Sequence, residues 1–145
     1  MAVNHQLTTT ISNGCTVEHF NASGGFDVYW KVFLWPSREM FHEKMTGAAL
    51  ADGMHCAHPY FTHMVTRKRR PMRVVGSIHF VRDKWDMEVV AHECLHAIAH
   101  YIRATGAKPI GHWSDKMEKE EAICYPFGKL VDEIYRKLWE LDNAA

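Results

Sequence analysis

Asp86-Met87-Glu88-Val89-Val90-Ala91-His92-Glu93-Cys94-Leu95-His96-Ala97-Ile98-Ala99-His100-Tyr101-Ile102 is the stretch that decides how this chain is built. Its apolar residues recur with a helical period. At about 100° per residue Val90, Ala91, Cys94, Leu95, Ala97, Ile98, Tyr101 and Ile102 fall on one broad face, and His92, Glu93, His96 and His100 on the opposite side. Asp86 stands where an N-cap belongs, and Gly106 supplies a stop after Thr105. Side chains four apart stack on one helix face, so both imidazoles of His92-Glu93-x-x-His96 can reach one metal ion. Glu93 lies a quarter-turn away, placed to grip a metal-bound water as general base. The bland account is a solvated polar face in a chain with 11 His among 145 residues. Glu93 in register favours the metal, and the metal such a motif calls for is Zn²⁺.

Outward from this helix the chain reads as one domain, residues 1–145. Hydrophobic residues make up 47% and charged residues 23%, ordinary globular values that argue against disorder. Lys plus Arg equals Asp plus Glu at 17 each, which gives no electrostatic reason to expect nucleic acid or a membrane surface. No apolar run approaches the roughly 20 residues of a membrane span, and Met1 to Thr10 lack the charged and apolar regions of a secretory signal. Cys15, Cys56, Cys94 and Cys124 form no CxxC and point to reduced thiols and a cytoplasmic location. Ordinary burial is the expected state of Cys94 and Cys124.

Residues 1–27 are polar, with Gly-rich turns at Asn13-Gly14 and Ser23-Gly24-Gly25, and fit short strands or a loose arm. Phe26 to Trp35 is aromatic and β-branched, a strand buried on both faces and ended by Pro36. Ser37 caps a helix expected over Arg38 to Leu50. Tyr60 to Thr66 and Met72 to Val81 read as strands joined by the basic turn Arg67-Lys68-Arg69-Arg70-Pro71, which is best taken as a solvated hairpin. After the central helix comes another, Lys116 to Leu141, opened by an Asp115-x-x-Glu118 capping box and interrupted at Pro126. The expected class is α+β, a small antiparallel or mixed sheet packed on helices. His55-Cys56-x-His58, with His63 beyond, has metal-like spacing, but scattered loop and strand histidines are the simpler account.

A catalytic zinc takes three protein ligands, so a third must come from outside the pair. Glu121, in the next helix, shares a stripe with Glu118, Tyr125 and Gly128 that an antiparallel neighbour could turn toward the metal, Gly128 permitting close approach. The rival account of Glu118, Glu120 and Glu121 is an acidic first helical region favoured by the dipole.

His92-Glu93-x-x-His96 followed by Glu121-Ala122-Ile123-Cys124-Tyr125-Pro126-Phe127-Gly128 resembles the gluzincin branch of zinc metallopeptidases, and more closely small zincin-like proteins of phage genomes, in which HExxH is paired with a Glu-Ala-x-x-Tyr-x-x-Gly-x-Leu helix. The resemblance covers about residues 86–138. It implies a zincin-like fold, Zn²⁺ held by His92, His96 and Glu121, Glu93 as general base, and a peptide or protein substrate. Tyr125 stands where thermolysin-type enzymes carry an aspartate, and no counterpart of their large C-terminal domain is recognisable. Gly111-His112-Trp113 is similar to the ligand turn of SprT-like proteases, which makes His112 the alternative third ligand. Tyr125, His112 and His100 are the candidate donors to a tetrahedral oxyanion. By fold analogy the strand around Gly76 to Val81 would edge the cleft. Against the hydrolase stand a non-catalytic zinc-stabilised binding domain and an interaction protein, phage-encoded in one version, whose basic turn and aromatic surface engage a partner.

Overall fold

In a computed structural model of the chain the described residues are 8–12, 15–26, 28–44, 53–57, 74–105 and 116–143. Strands β1 (Thr8–Ser12), β2 (Cys15–Ala22) and β3 (Tyr29–Trp35) are followed by helix α1 (Arg38–Lys44), then by β4 (Gly53–Ala57) and β5 (Val74–Val81), and finally by α2 (Met87–Thr105) and α3 (Lys116–Asn143). The class is α+β, as expected. The strands form one mixed sheet in the order β1-β2-β3-β5-β4, with β3 and β5 parallel and every other pair antiparallel.

The two sides of the sheet are covered differently. On one side Phe20, Ala22, Trp30, Val32, Leu34, Ile78 and Phe80 meet Val90, Cys94, Ala97 and Ile98 of α2 and Leu130, Ile134 and Leu138 of α3. On the other, Val17, Trp35 and Val81 pack around Phe41 of α1, with Phe33 and Met54 alongside. Alternation along the strands produces this division, because neighbours in a strand point to opposite faces. In β3 it leaves Lys31 exposed, so the strand is not buried on both faces along its whole length.

The caps follow the sequence. Ser37 Oγ accepts the amide of Met40 at 3.2 Å, opening α1, and Asp86 Oδ1 accepts the amide of Val89 at 2.8 Å, opening α2. Other expectations change. The helix after Ser37 is described only to Lys44, and Tyr60 to Thr66, the basic turn, His58, His63 and Gly106 lie outside the described residues. β4 is an element that the sequence does not announce. Helix α3 continues through Pro126 instead of breaking there. It does so with outside support: Pro126 is buried against the Ser23-Gly24-Gly25 turn, and Glu133 accepts the amide of Ser23 at 3.1 Å. Gly24, at φ 60°, is required at this docking point, since a Cβ would stand 2.9 Å from the Pro126 carbonyl oxygen. No helix among the described residues is long and apolar enough to cross a membrane.

Candidate metal centre

His92 and His96 sit one turn apart on the exposed flank of α2, and their Nε2 atoms converge to 3.2 Å. Two nitrogens bound to one tetrahedral zinc at about 2.0–2.1 Å lie about 3.3–3.4 Å apart. The pair therefore already has the separation that a shared metal demands. With one ring protonated on Nε2, the same separation makes a His–His hydrogen bond, and a metal ion would take the place of that proton.

Glu93 departs from the even polar front suggested by the helical wheel. It is 8% exposed, whereas the His92 side chain is 66% exposed, and its Oε1 lies 4.0 Å from His92 Nε2. The cause is β4. This edge strand runs under the flank of α2, and at Gly53 its backbone comes so near that a Cβ would be 3.0 Å from Glu93 Cγ and 2.9 Å from Val89 Cγ1. The Glu93 side chain is thus held between the strand edge and the His92 imidazole. Leu95 also leaves its expected place, since at 52% exposed it is not part of the buried face.

Cys94, on the core side, is fully buried; desolvation first, then the nearby carboxylates of Glu93 and Glu133, push its thiol far above the ordinary range. It is an inert core residue. His100, one turn beyond His96, is lowered by burial and then by Arg103.

The second half of the expected site is arranged otherwise. Glu121 is exposed and lines a groove with Cys124, Tyr125, Gly128, Lys129 and Asp132, all on α3. Among the described residues no group of three His, Cys, Asp or Glu side chains is placed to hold a metal, so Glu121 is not brought to the histidine pair. Tyr125 is 67% exposed in the same groove, and Cys124 is an exposed thiol rather than a buried one. Among the described residues nothing lies within 4 Å of where a Gly128 Cβ would be, so no described helix packs against Gly128. The helix packs through an adjoining apolar stripe instead: Leu130, Ile134 and Leu138 are buried, and they, not Glu121 and Tyr125, set its rotation. His112 lies outside the described residues.

The strand beside Glu93 is a further correction. β5 carries Gly76 to Val81 but runs inside the sheet between β3 and β4, so β4 is the strand that edges the site. Gly53, which seats that strand against Glu93, has no signal in the sequence. Compared with known protein families, curated proteins and solved structures, the chain matches none.

Proposed function

We propose that this chain is a zinc-dependent hydrolase acting on peptide bonds. The observation that carries the reading is the 3.2 Å approach of His92 Nε2 and His96 Nε2, with the shielded Glu93 carboxylate beside them. His92 and His96 would hold Zn²⁺, and the gluzincin resemblance implies Glu121 as the third ligand, with His112 as the alternative. When bound, the ion would supply a water of pKa near 7 and polarise the scissile carbonyl.

The chain's own groups do the rest. Glu93 takes a proton from the attacking water and returns it to the leaving amine. Its contact with β4 restricts the rotamers available to it, so the carboxylate waits on the histidine side. β4 is the terminal strand of the described sheet, and an extended peptide can pair with a strand edge beside Glu93. Edge pairing recognises backbone rather than side chains, which favours a peptide over other carbonyl substrates. Of the candidate oxyanion donors, Tyr125 faces the outer groove of α3, and His112 and His100 stay in this role.

Glu93→Gln tests the reading. Gln keeps the shape but cannot take the proton, so cleavage of denatured casein should fall about 10²–10⁴-fold with zinc content unchanged. Cleavage at the wild-type rate would remove Glu93 from the mechanism and the hydrolase reading with it.

A further inference from the structure

We infer that the outer face of α3 is a self-complementary surface on which a second copy of this chain docks, with the two α3 helices antiparallel.

The face is defined by what the helix buries. Leu130, Ile134 and Leu138 take one side of α3 into the core. At about 100° per residue, the opposite side carries Tyr125, Gly128, Asp132, Arg136, Trp139 and Asn143 within an arc of roughly 80°. All six are exposed. Tyr125 and Trp139 are the large ones, at 67% and 55% exposed, and tyrosine and tryptophan are the side chains that anchor interfaces. Between them the surface is uneven. Around Gly128 it is hollow: among the described residues nothing lies within 4 Å of the place of a Cβ, and Tyr125, Lys129 and Asp132 form a rim. Trp139 stands further along the same stripe, beside Arg136 and Glu140. One helix therefore carries both a knob and a hole, about 16 Å apart at 1.5 Å per residue.

The charges choose the occupant. Along one edge of the stripe lie Lys129, Asp132, Arg136 and Glu140, in the order plus, minus, plus, minus. Read backwards, the order is minus, plus, minus, plus, so the run complements its own reverse. Consider a two-fold axis at the level of Ile134, perpendicular to both helices. Positions equally far before and after Ile134 are then opposed, and each edge of one helix meets the same edge of the other. Asp132 faces Arg136 of the second copy, and Arg136 faces its Asp132. Lys129 comes level with Trp139 and beside Glu140 of the second copy, a cation against an indole and a carboxylate. Trp139 in turn arrives at the Gly128 hollow.

Other arrangements lose this match. A shift by one helical turn sets Asp132 against Asp132, or Arg136 against Arg136, and a parallel pair sets every charge against its like. The contacts within one helix leave the groups competent for a second copy. Arg136 Nε donates to Asp132 Oδ1 at 2.7 Å and Lys137 Nζ to Glu140 Oε2 at 3.2 Å. A guanidinium has four further N–H donors, and each carboxylate keeps another oxygen. Exposed ion pairs add little affinity, so the apolar contact of Trp139 supplies the binding and the charges select the register.

Sedimentation equilibrium of the full chain at low salt tests this. The wild type should pass reversibly from one-chain to two-chain mass in the micromolar range, as suits a small interface. Asp132→Arg and Arg136→Asp, each alone, should weaken association at least about tenfold, because like charges then meet twice across the axis. The double exchange should restore it to within about threefold of wild type. These side chains are 62% and 77% exposed, so the fold should survive, and circular dichroism checks that it does. Trp139→Ala should weaken association as well. Gly128→Leu should stabilise the single chain, as leucine is the better helix former, while closing the hollow and weakening association. A wild-type chain that stays single throughout the range would overturn the inference and leave the face to a different protein. Association unchanged by both single exchanges and by Trp139→Ala would place the interface elsewhere. A double exchange no better than the single ones would refute the opposition of Asp132 and Arg136.

Discussion

Gly53 in the edge strand and Glu93 in the helix of the histidine pair are packed so closely that the smallest side chain at position 53 would meet Glu93 Cγ at 3.0 Å. Val89 Cγ1 at 2.9 Å and the His79 carbonyl oxygen at 3.3 Å close the other sides. Glu93, the proposed general base, is therefore seated by a missing side chain. Gly53→Ala must displace Val89 and Glu93 or the strand itself, and overpacking of this kind destabilises by about 1–3 kcal/mol. Alanine is a better strand residue than glycine, so propensity alone predicts a gain. Urea unfolding of the zinc-free protein decides the sign. If Glu93 acts as the proposed base and not as a ligand, cleavage of casein by the same variant should fall further than its zinc affinity. A variant as stable and as active as wild type would show that the contact does not position Glu93.

Zinc should stabilise the fold through the pair. A ligand that binds only the folded chain adds about 2.7 kcal/mol at 100 times its dissociation constant. The melting temperature should rise on adding zinc and return on adding a chelator. His92→Ala should melt at the same temperature with and without zinc. A wild-type protein indifferent to zinc would remove the metal centre.

Much of this is readable from the sequence because the physics is local. The period of α2, its Asp86 cap and the spacing of His92, Glu93 and His96 are properties of consecutive residues, and the structure keeps each of them. β4 is not legible. Gly53-Met54-His55-Cys56-Ala57 contains no β-branched residue and opens on glycine, so its strand state comes from pairing with β5 and contact with α2, not from propensity. The burial of Glu93 follows from β4 and is hidden with it. The rotation of α3 escapes the sequence for a related reason: a stripe of Glu, Tyr and Gly and an adjoining apolar stripe both fit. Only the packing of Leu130, Ile134 and Leu138 against β2 and α2 chooses between them.

Asp142 should prove the main clamp on the end of α3. A carboxylate in the last turn of a helix opposes the dipole, and this turn carries no basic residue. The Asp142 side chain is nevertheless 8% exposed, because Arg82 Nη1 donates to Oδ1 at 2.8 Å while the Trp85 indole and the Asp83 amide donate to Oδ2. Arg82 also reaches the Leu141 carbonyl and Glu18, joining β2, the turn before α2 and the end of α3. Asp142→Ala leaves those donors without their acceptor and should destabilise the zinc-free protein by about 1.5–3 kcal/mol. Asp142→Asn, which keeps one acceptor oxygen, should lose less. Both variants should bind zinc as the wild type does. Equal stability of Asp142→Ala and wild type in urea would show that the network contributes nothing net.

The zinc-free protein should lose stability in mild acid through two histidines that the fold keeps short of protons. Burial is the larger cause at both: it lowers His19, with Lys31 adding to it, and lowers His100, with Arg103 adding to it. Each folded value lies below the ordinary 6.5, so between the two values the unfolded chain holds more protons than the native one. Stability from these groups is complete above the unfolded value and is lost as pH falls through it toward the folded value. Denaturation midpoints measured in chelator should therefore hold steady from pH 8 to 7 and drop below about 6.5. The double variant His19→Gln, His100→Gln should show a shallower drop over that window, before carboxylates begin to protonate. An identical acid slope in the double variant would assign the loss to other groups.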